Sequence, residues 1–194
     1  RGDRSLLNPR IDWEGPEDRL AATELPIYMY LYGKLWNIGG LGETWGRLLS
    51  VLASLLTAIL IFLLFEREFG REPAFYGALL FSLSPLEIYF GRTVQPEALA
   101  LLGLVAGLYL WDLSLEKGRP RWALALAAFG AFIAVGHKLP YALMFIPLLA
   151  LTYRRLKSKA WTDVPMYVAG LVSMGLVFAW YTYASTGVYV VPTK

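Results

Sequence analysis

The stretch LLSVLASLLTAILIFLLF, Leu48 to Phe65, holds eighteen consecutive residues without a charge. A run of about 18 or more apolar residues is long enough as a helix to approach the ~30 Å hydrocarbon core of a bilayer. Ala98 to Trp111 and Val164 to Gly187 are equally free of charge. Of the 194 residues 57% are hydrophobic and only 17% charged, where a soluble domain carries about 25% charged residues. Several long apolar blocks in one chain imply a polytopic, all-α transmembrane bundle.

Working outward from that run, the chain divides into a polar and interfacial segment over residues 1–44, a helical membrane region over 45–187, and the start of another loop at 188–194. About six membrane-inserted helices are expected, near 45–65, 73–90, 96–115, 122–137, 139–153 and 164–187. Tyr28, Tyr30, Tyr32 and Trp36 read as an aromatic belt at headgroup depth. Pro73 opens the second segment, and Pro96 sits where a helix starts, its missing N–H costing nothing there. His137-Lys138-Leu139-Pro140 splits residues 122–153 into two apolar halves of about 24 Å each. These are either two short spans or a re-entrant hairpin.

Lys and Arg collect in short cytoplasmic loops. One set of loops holds Arg67, Arg71, Lys117, Arg119, Arg121, Arg154, Arg155, Lys157 and Lys159; the alternating set holds only Arg92 and Lys138. The first set is therefore assigned to the cytoplasm. The N-terminal segment, Arg92 to Glu97, His137-Lys138 and the C-terminal tail then share the outer face. The net charge of +3 says less than this distribution, and nothing points to nucleic acid as a partner. Cysteine is absent, which excludes disulfides, thiol nucleophiles and Cys-based metal sites. The chain begins with Arg1 and reads as a piece of a longer protein.

Five ionisable residues gather on the outer face: Glu24 ahead of Pro26, Arg92, Glu97 and the adjacent His137 and Lys138. Each has a structural alternative. Glu97 in a first helical turn complements the macrodipole, Arg92 can snorkel to headgroups, and Lys138 can satisfy carbonyls at a helix break. Ionisable groups at membrane depth are costly, however, and face a pathway or a partner. Carboxylates such as Glu24 and Glu97 can deprotonate a hydroxyl or, with His137, hold a divalent metal. Arg92 and Lys138 can neutralise a phosphate. That pairing suits displacement of a phosphate leaving group. A transporter pathway and a non-catalytic membrane scaffold are the alternatives.

The order of these residues also resembles a known family. Glu24-Leu25-Pro26 followed by Tyr28 resembles the E-K-P-P-L-x-Y element of the ArnT/PMT-like membrane glycosyltransferases, whose fold is called GT-C. Arg47, Phe69-Gly70-Arg71, Ser84-Pro85, Arg92 and Glu97 are similar to their ARLPS…LFGR…SP…R…DALL pattern, with Glu97 in place of Asp. FIAVGHKLPYALMFIPLLAL is similar to their LA-LTK-x-P…LLLP hairpin and puts Lys138 at the family lysine. The likeness covers roughly residues 1–160.

The resemblance implies a GT-C-type core in a plasma or inner membrane. It implies transfer of a hexosyl or pentosyl group from a polyprenyl-phosphate donor to a lipid, glycan or protein acceptor on the extracytoplasmic face. Arg92 and Lys138 would lie near the lipid phosphate, and Glu97 and Glu24 would serve the acceptor hydroxyl. Outside the cytoplasm no nucleotide-sugar pool is expected, so a lipid-carried donor is the sensible chemistry. Leu25 stands where the family has a lysine. The family's principal catalytic Asp would fall ahead of Gly2-Asp3, and neither Asp3 nor Asp12 matches it, so these residues alone are expected to be inactive.

Overall fold

The computed structural model describes residues 25–39, 42–115, 122–156, 172, 175–180 and 182. All eight elements among them are helical. They are α1 (Ile27–Gly39), α2 (Glu43–Phe69), α3 (Arg71–Leu83), α4 (Pro85–Phe90), α5 (Glu97–Ser114), α6 (Trp122–His137), a 3-10 helix (Leu139–Met144) and α7 (Phe145–Leu156).

The charge-free run forms the middle of α2, and the second apolar block forms α5. Among the described residues these two are the helices long and apolar enough to cross a membrane. Trp122–His137 and Leu139–Arg154 are shorter apolar helical stretches. The expectation of six spans is therefore corrected. The segment at 73–90 is not one helix. α3 starts at Arg71 and ends at Leu83, because Ser84 is extended, with φ −60° and ψ 128°. A residue before proline disfavours the helical region, and Pro85 then opens the six-residue α4 from its first position. Thirteen residues of α3 rise only about 20 Å. Within 164–187 the described residues 172, 175–180 and 182 are helical; the rest lies outside them, as do residues 1–24.

The turn from α2 to α3 is made by Gly70, whose φ of +91° is left-handed backbone that a Cβ would strain. Its N–H closes the last turn of α2 on the Glu66 carbonyl at 3.1 Å.

α5 and α6 pack most intimately, antiparallel and through small residues. A Cβ on Gly130 would lie 2.7 Å from the Gly103 carbonyl oxygen, and one on Gly103 only 2.8 Å from Ile133 Cγ2. Small residues let helix backbones approach where lipid supplies no hydrophobic driving force between helices. Leu64, Leu108, Ala131, Ala134, Met144 and Leu151 fill the centre between α2, α5, α6 and α7.

Ionic contacts mark the two ends of this bundle. At one end Arg67 Nε meets Asp112 Oδ2 at 2.7 Å and Arg154 meets Glu68 at 2.9 Å, while Trp111 Nε1 donates to Thr152 Oγ1 at 2.8 Å. At the other, Lys138 pairs with Glu97. α6 and the returning 3-10/α7 arm thus run the full height of α5, and the Lys138 turn is as far up as α5 begins. Arg67, Arg71 and Arg154 fall at one end and Lys138 at the other, the same partition as the loop charges.

The aromatic belt is also corrected at Tyr28. Its side chain is buried, with 1% exposure. The phenol oxygen lies 2.9 Å from the Gly46 carbonyl and 2.8 Å from Ser50 Oγ, and Ser50 donates to the Thr93 carbonyl at 2.6 Å. With the Ser50 proton committed to Thr93, the single Tyr28 proton is shared between Gly46 and Ser50. Tyr28 is a peg tying α1 to α2 and to the loop before α5.

Candidate functional site

The site is built where α5 begins and α6 ends. Pro96 precedes Glu97 and fixes the start of α5, placing the carboxylate in its first turn. α6 closes at His137, and Lys138 is extended, with φ −147° and ψ 126°. Its side chain is thereby released from the helix toward α5, where its ammonium donates to Glu97 Oε1. The Glu97 side chain is 16% exposed and that of Lys138 37%. Glu97 Oε2 is buried without a hydrogen-bond partner among the described residues. One carboxylate oxygen is anchored and the other is left with open lone pairs.

Around this pair the charge of Glu97 acts on Tyr28, His137 and Tyr141. His137 is 1% exposed. Its Nδ1 donates to the Ile133 carbonyl at 2.6 Å, and its Nε2 is buried without a partner among the described residues. The Leu25 N–H donates to the Gly136 carbonyl at 2.9 Å. The Leu25 side chain, packed with Ile133 and Trp180, reaches to 3.1 Å from a Cβ on Gly136. The segment that follows Glu24 is thus fastened to the Lys138 turn. Glu24 itself lies outside the described residues.

Of the five expected site residues, Glu97, His137 and Lys138 come together. Arg92 forms no ion pair with Glu97, whose Oε1 is held by Lys138 and whose Oε2 has no partner among the described residues. Arg92 is exposed in the turn between α4 and α5 and lines a cleft with Ser54, Ser82, Glu87 and Gly91. Among the described residues no group of three or more His, Asp or Glu could hold a metal ion. With Nδ1 on the Ile133 carbonyl, Nε2 is the ring nitrogen of His137 left to meet a further partner. The sequence reading missed Tyr141, Ser54 and Glu87, and took Tyr28 for a belt residue. For Glu87 the signal was present, since a carboxylate inside an apolar run calls for a partner.

The chain matches the family model described as dolichyl-phosphate-mannose-protein mannosyltransferase over residues 23–183. It belongs to that family. No curated protein and no solved structure matches it. Members of this mannosyltransferase family are membrane enzymes that use a polyprenyl-phosphate sugar. The match begins just before Leu25 and takes in every helix described above, so the Glu97–Lys138 pair lies within the part that carries the family's pattern.

Proposed function

We propose that the chain forms part of a site transferring a sugar, mannose in the first instance, from a polyprenyl-phosphate donor to a hydroxyl acceptor at the extracytoplasmic membrane surface. The observation that carries this reading is the half-anchored carboxylate of Glu97. Lys138 holds Oε1 while Oε2 stays buried and unpaired, a geometry suited to accepting a proton from a hydroxyl brought into line.

In the step so assigned, the acceptor O–H gives its proton to Glu97 Oε2 as its oxygen bonds to the anomeric carbon. The anomeric C–O bond to phosphate breaks, and the electron pair leaves with the polyprenyl phosphate. The Lys138 ammonium and the Arg92 guanidinium offset the phosphate's charge. Glu24, one residue ahead of the Leu25–Gly136 bond, is proposed as a second acid serving the acceptor. A divalent metal, if one is used, would need ligands beyond the described residues together with Glu24. The acceptor is a lipid, glycan or protein hydroxyl.

The test supplies membranes containing the intact protein with labelled polyprenyl-phosphate mannose or with a labelled nucleotide sugar. Glycoside formation from the lipid donor alone is expected. Movement of label across the membrane without a new glycoside would replace this reading with transport.

A further inference from the structure

The residues lining the cleft that holds Arg92 do not include Glu97 or Lys138. Val51, Ser54, Leu55 and Ala58 of α2 form one wall, Phe81 and Ser82 of α3 a second, and Glu87, Ile88 and Gly91 close it. Its volume is about 200 Å³. Leu55 and Ile88 are exposed on the bundle's apolar flank, so the cleft opens where lipid chains would lie.

Two polar atoms inside this apolar wall are unexplained by the fold. Ser54 Oγ and Glu87 Oε1 are both buried without a hydrogen-bond partner among the described residues. They are neighbours, lying 2.7 and 3.1 Å from the point a Cβ on Gly91 would occupy. Ser54 differs from two other hydroxyls on these helices. Thr57 bonds back to the Ala53 carbonyl and Ser82 to the Ala78 carbonyl, each at 2.8 Å. A helical Ser that forgoes that bond presents its hydroxyl to the cleft. Burying a carboxylate oxygen without a donor is costly, and unpaired intramembrane ionisable groups face a ligand or pathway. Arg92, on the same cleft, has no ion pair among the described residues, although Glu87 is close by in the chain. A guanidinium and a carboxylate kept apart in one cleft leave room for a head that offers an anion to one and hydrogen-bond donors to the other.

We infer that Ser54 and Glu87 form a hydroxyl-reading subsite for the sugar of a phosphate-linked lipid. The phosphate sits on Arg92, the hydrocarbon lies against Val51, Leu55 and Ile88, and sugar hydroxyls donate to Glu87 Oε1 and Ser54 Oγ. The identity of the head rests on the glycosyl-transfer reading above. Gly91 is required because any side chain there would fill the notch.

The experiment measures binding of polyprenyl-phosphate mannose and of bare polyprenyl phosphate to the intact protein in phosphatidylcholine nanodiscs. Ser54→Ala, which removes a hydrogen bond, and Glu87→Gln, which strips the charge from one, should each weaken the mannosyl lipid about tenfold and leave the bare lipid phosphate unchanged. Arg92→Gln should weaken both alike. Loss of both ligands in the Glu87 and Ser54 variants, or of neither, overturns the subsite. Competition by phosphatidylethanolamine equal to that of the mannosyl lipid also overturns it, because an ammonium head would then be the occupant. If wild-type protein binds neither polyprenyl lipid, the transfer reading falls with it; if wild type binds and only the discrimination is missing, this inference alone falls. A second measurement leaves Glu87 and Ser54 intact. Alkylation of Ile88→Cys in the cysteine-free chain should be slowed by the mannosyl lipid, while that of Leu126→Cys on exposed α6 surface should not; no slowing at Ile88→Cys overturns the proposal.

Discussion

Asp112 of α5 is fully buried, and the Nε of Arg67, forty-five residues earlier on α2, meets its carboxylate at 2.7 Å. Removing Asp112 takes away the carboxylate that Arg67 meets inside the bundle, and breaking a buried ion pair is costly. Asp112→Ala should therefore cost about 3–5 kcal/mol, read as a fall in the unfolding midpoint of the protein in detergent. Arg47 and Glu43, with side chains 61% and 71% exposed, form a surface contact. Arg47→Ala should shift the midpoint by no more than about 1 kcal/mol. Equal effects of the two substitutions would contradict the burial difference.

Gly130 and Gly33 are both helical glycines, but they differ in what surrounds them. A Cβ on Gly130 meets the Gly103 carbonyl and the Gly107 amide nitrogen at 2.7 and 2.9 Å, backbone atoms that cannot swing away, whereas nothing lies within 4 Å of one on Gly33. Gly130→Ala should push α5 and α6 apart and destabilise by about 1–3 kcal/mol. Gly33→Ala should stabilise by up to about 1 kcal/mol through helix propensity. Thermal unfolding of the two variants side by side checks the opposite signs.

The parts of this architecture that sequence made legible are those written in long-range composition. Leu48 to Phe65 could be nothing shorter than a span-length helix, and the break at His137-Lys138 announced a turn between two apolar arms. The break at Ser84-Pro85 was equally visible as a dipeptide. It was read through because the residues on either side are apolar, although proline's effect on the residue before it is local and decisive. Tyr28 was misread for a different reason. A Tyr near a membrane boundary is as compatible with a headgroup belt as with a buried hydroxyl peg, and only its position opposite Gly46 and Ser50 separates the two. For the site, charge pattern alone grouped Glu97 with Lys138. Pairing Ser54 with Glu87 needed the third dimension, since thirty-three residues and a helix break separate them.

Sidedness is open to direct test. Leu139 is 60% exposed at the tip of the turn, and Ser158 lies in the basic stretch after α7. Because the chain has no cysteine, single Cys substitutions report without background. Leu139→Cys should react with an impermeant maleimide from outside intact cells, and Ser158→Cys only after permeabilisation, as the distribution of Lys and Arg requires. Reversed labelling would move the Glu97–Lys138 pair to the cytoplasmic face and overturn the extracytoplasmic site.

The Glu97–Lys138 contact can be structural, chemical or both, and a double-mutant cycle separates these. Lys138→Met leaves a mostly buried carboxylate without its donor, and Glu97→Gln leaves the ammonium without its acid. Each should lower stability by about 1–3 kcal/mol. The double variant, which removes both charges, should recover to within about 1 kcal/mol of wild type, because a paired charge is missed mainly when its partner stays behind. Transfer from polyprenyl-phosphate mannose, normalised to folded protein, should not recover. Glu97→Gln keeps the side chain's shape but removes the proton acceptor, so turnover should fall about 10²-fold or more while donor affinity holds. Lys138→Met should weaken donor binding, since the lost ammonium faces the leaving phosphate. A double variant that is both stable and as active as wild type would make the pair a strut between α5 and the α6 turn, and the proton acceptor would have to be sought elsewhere, with Glu24 the first residue to test.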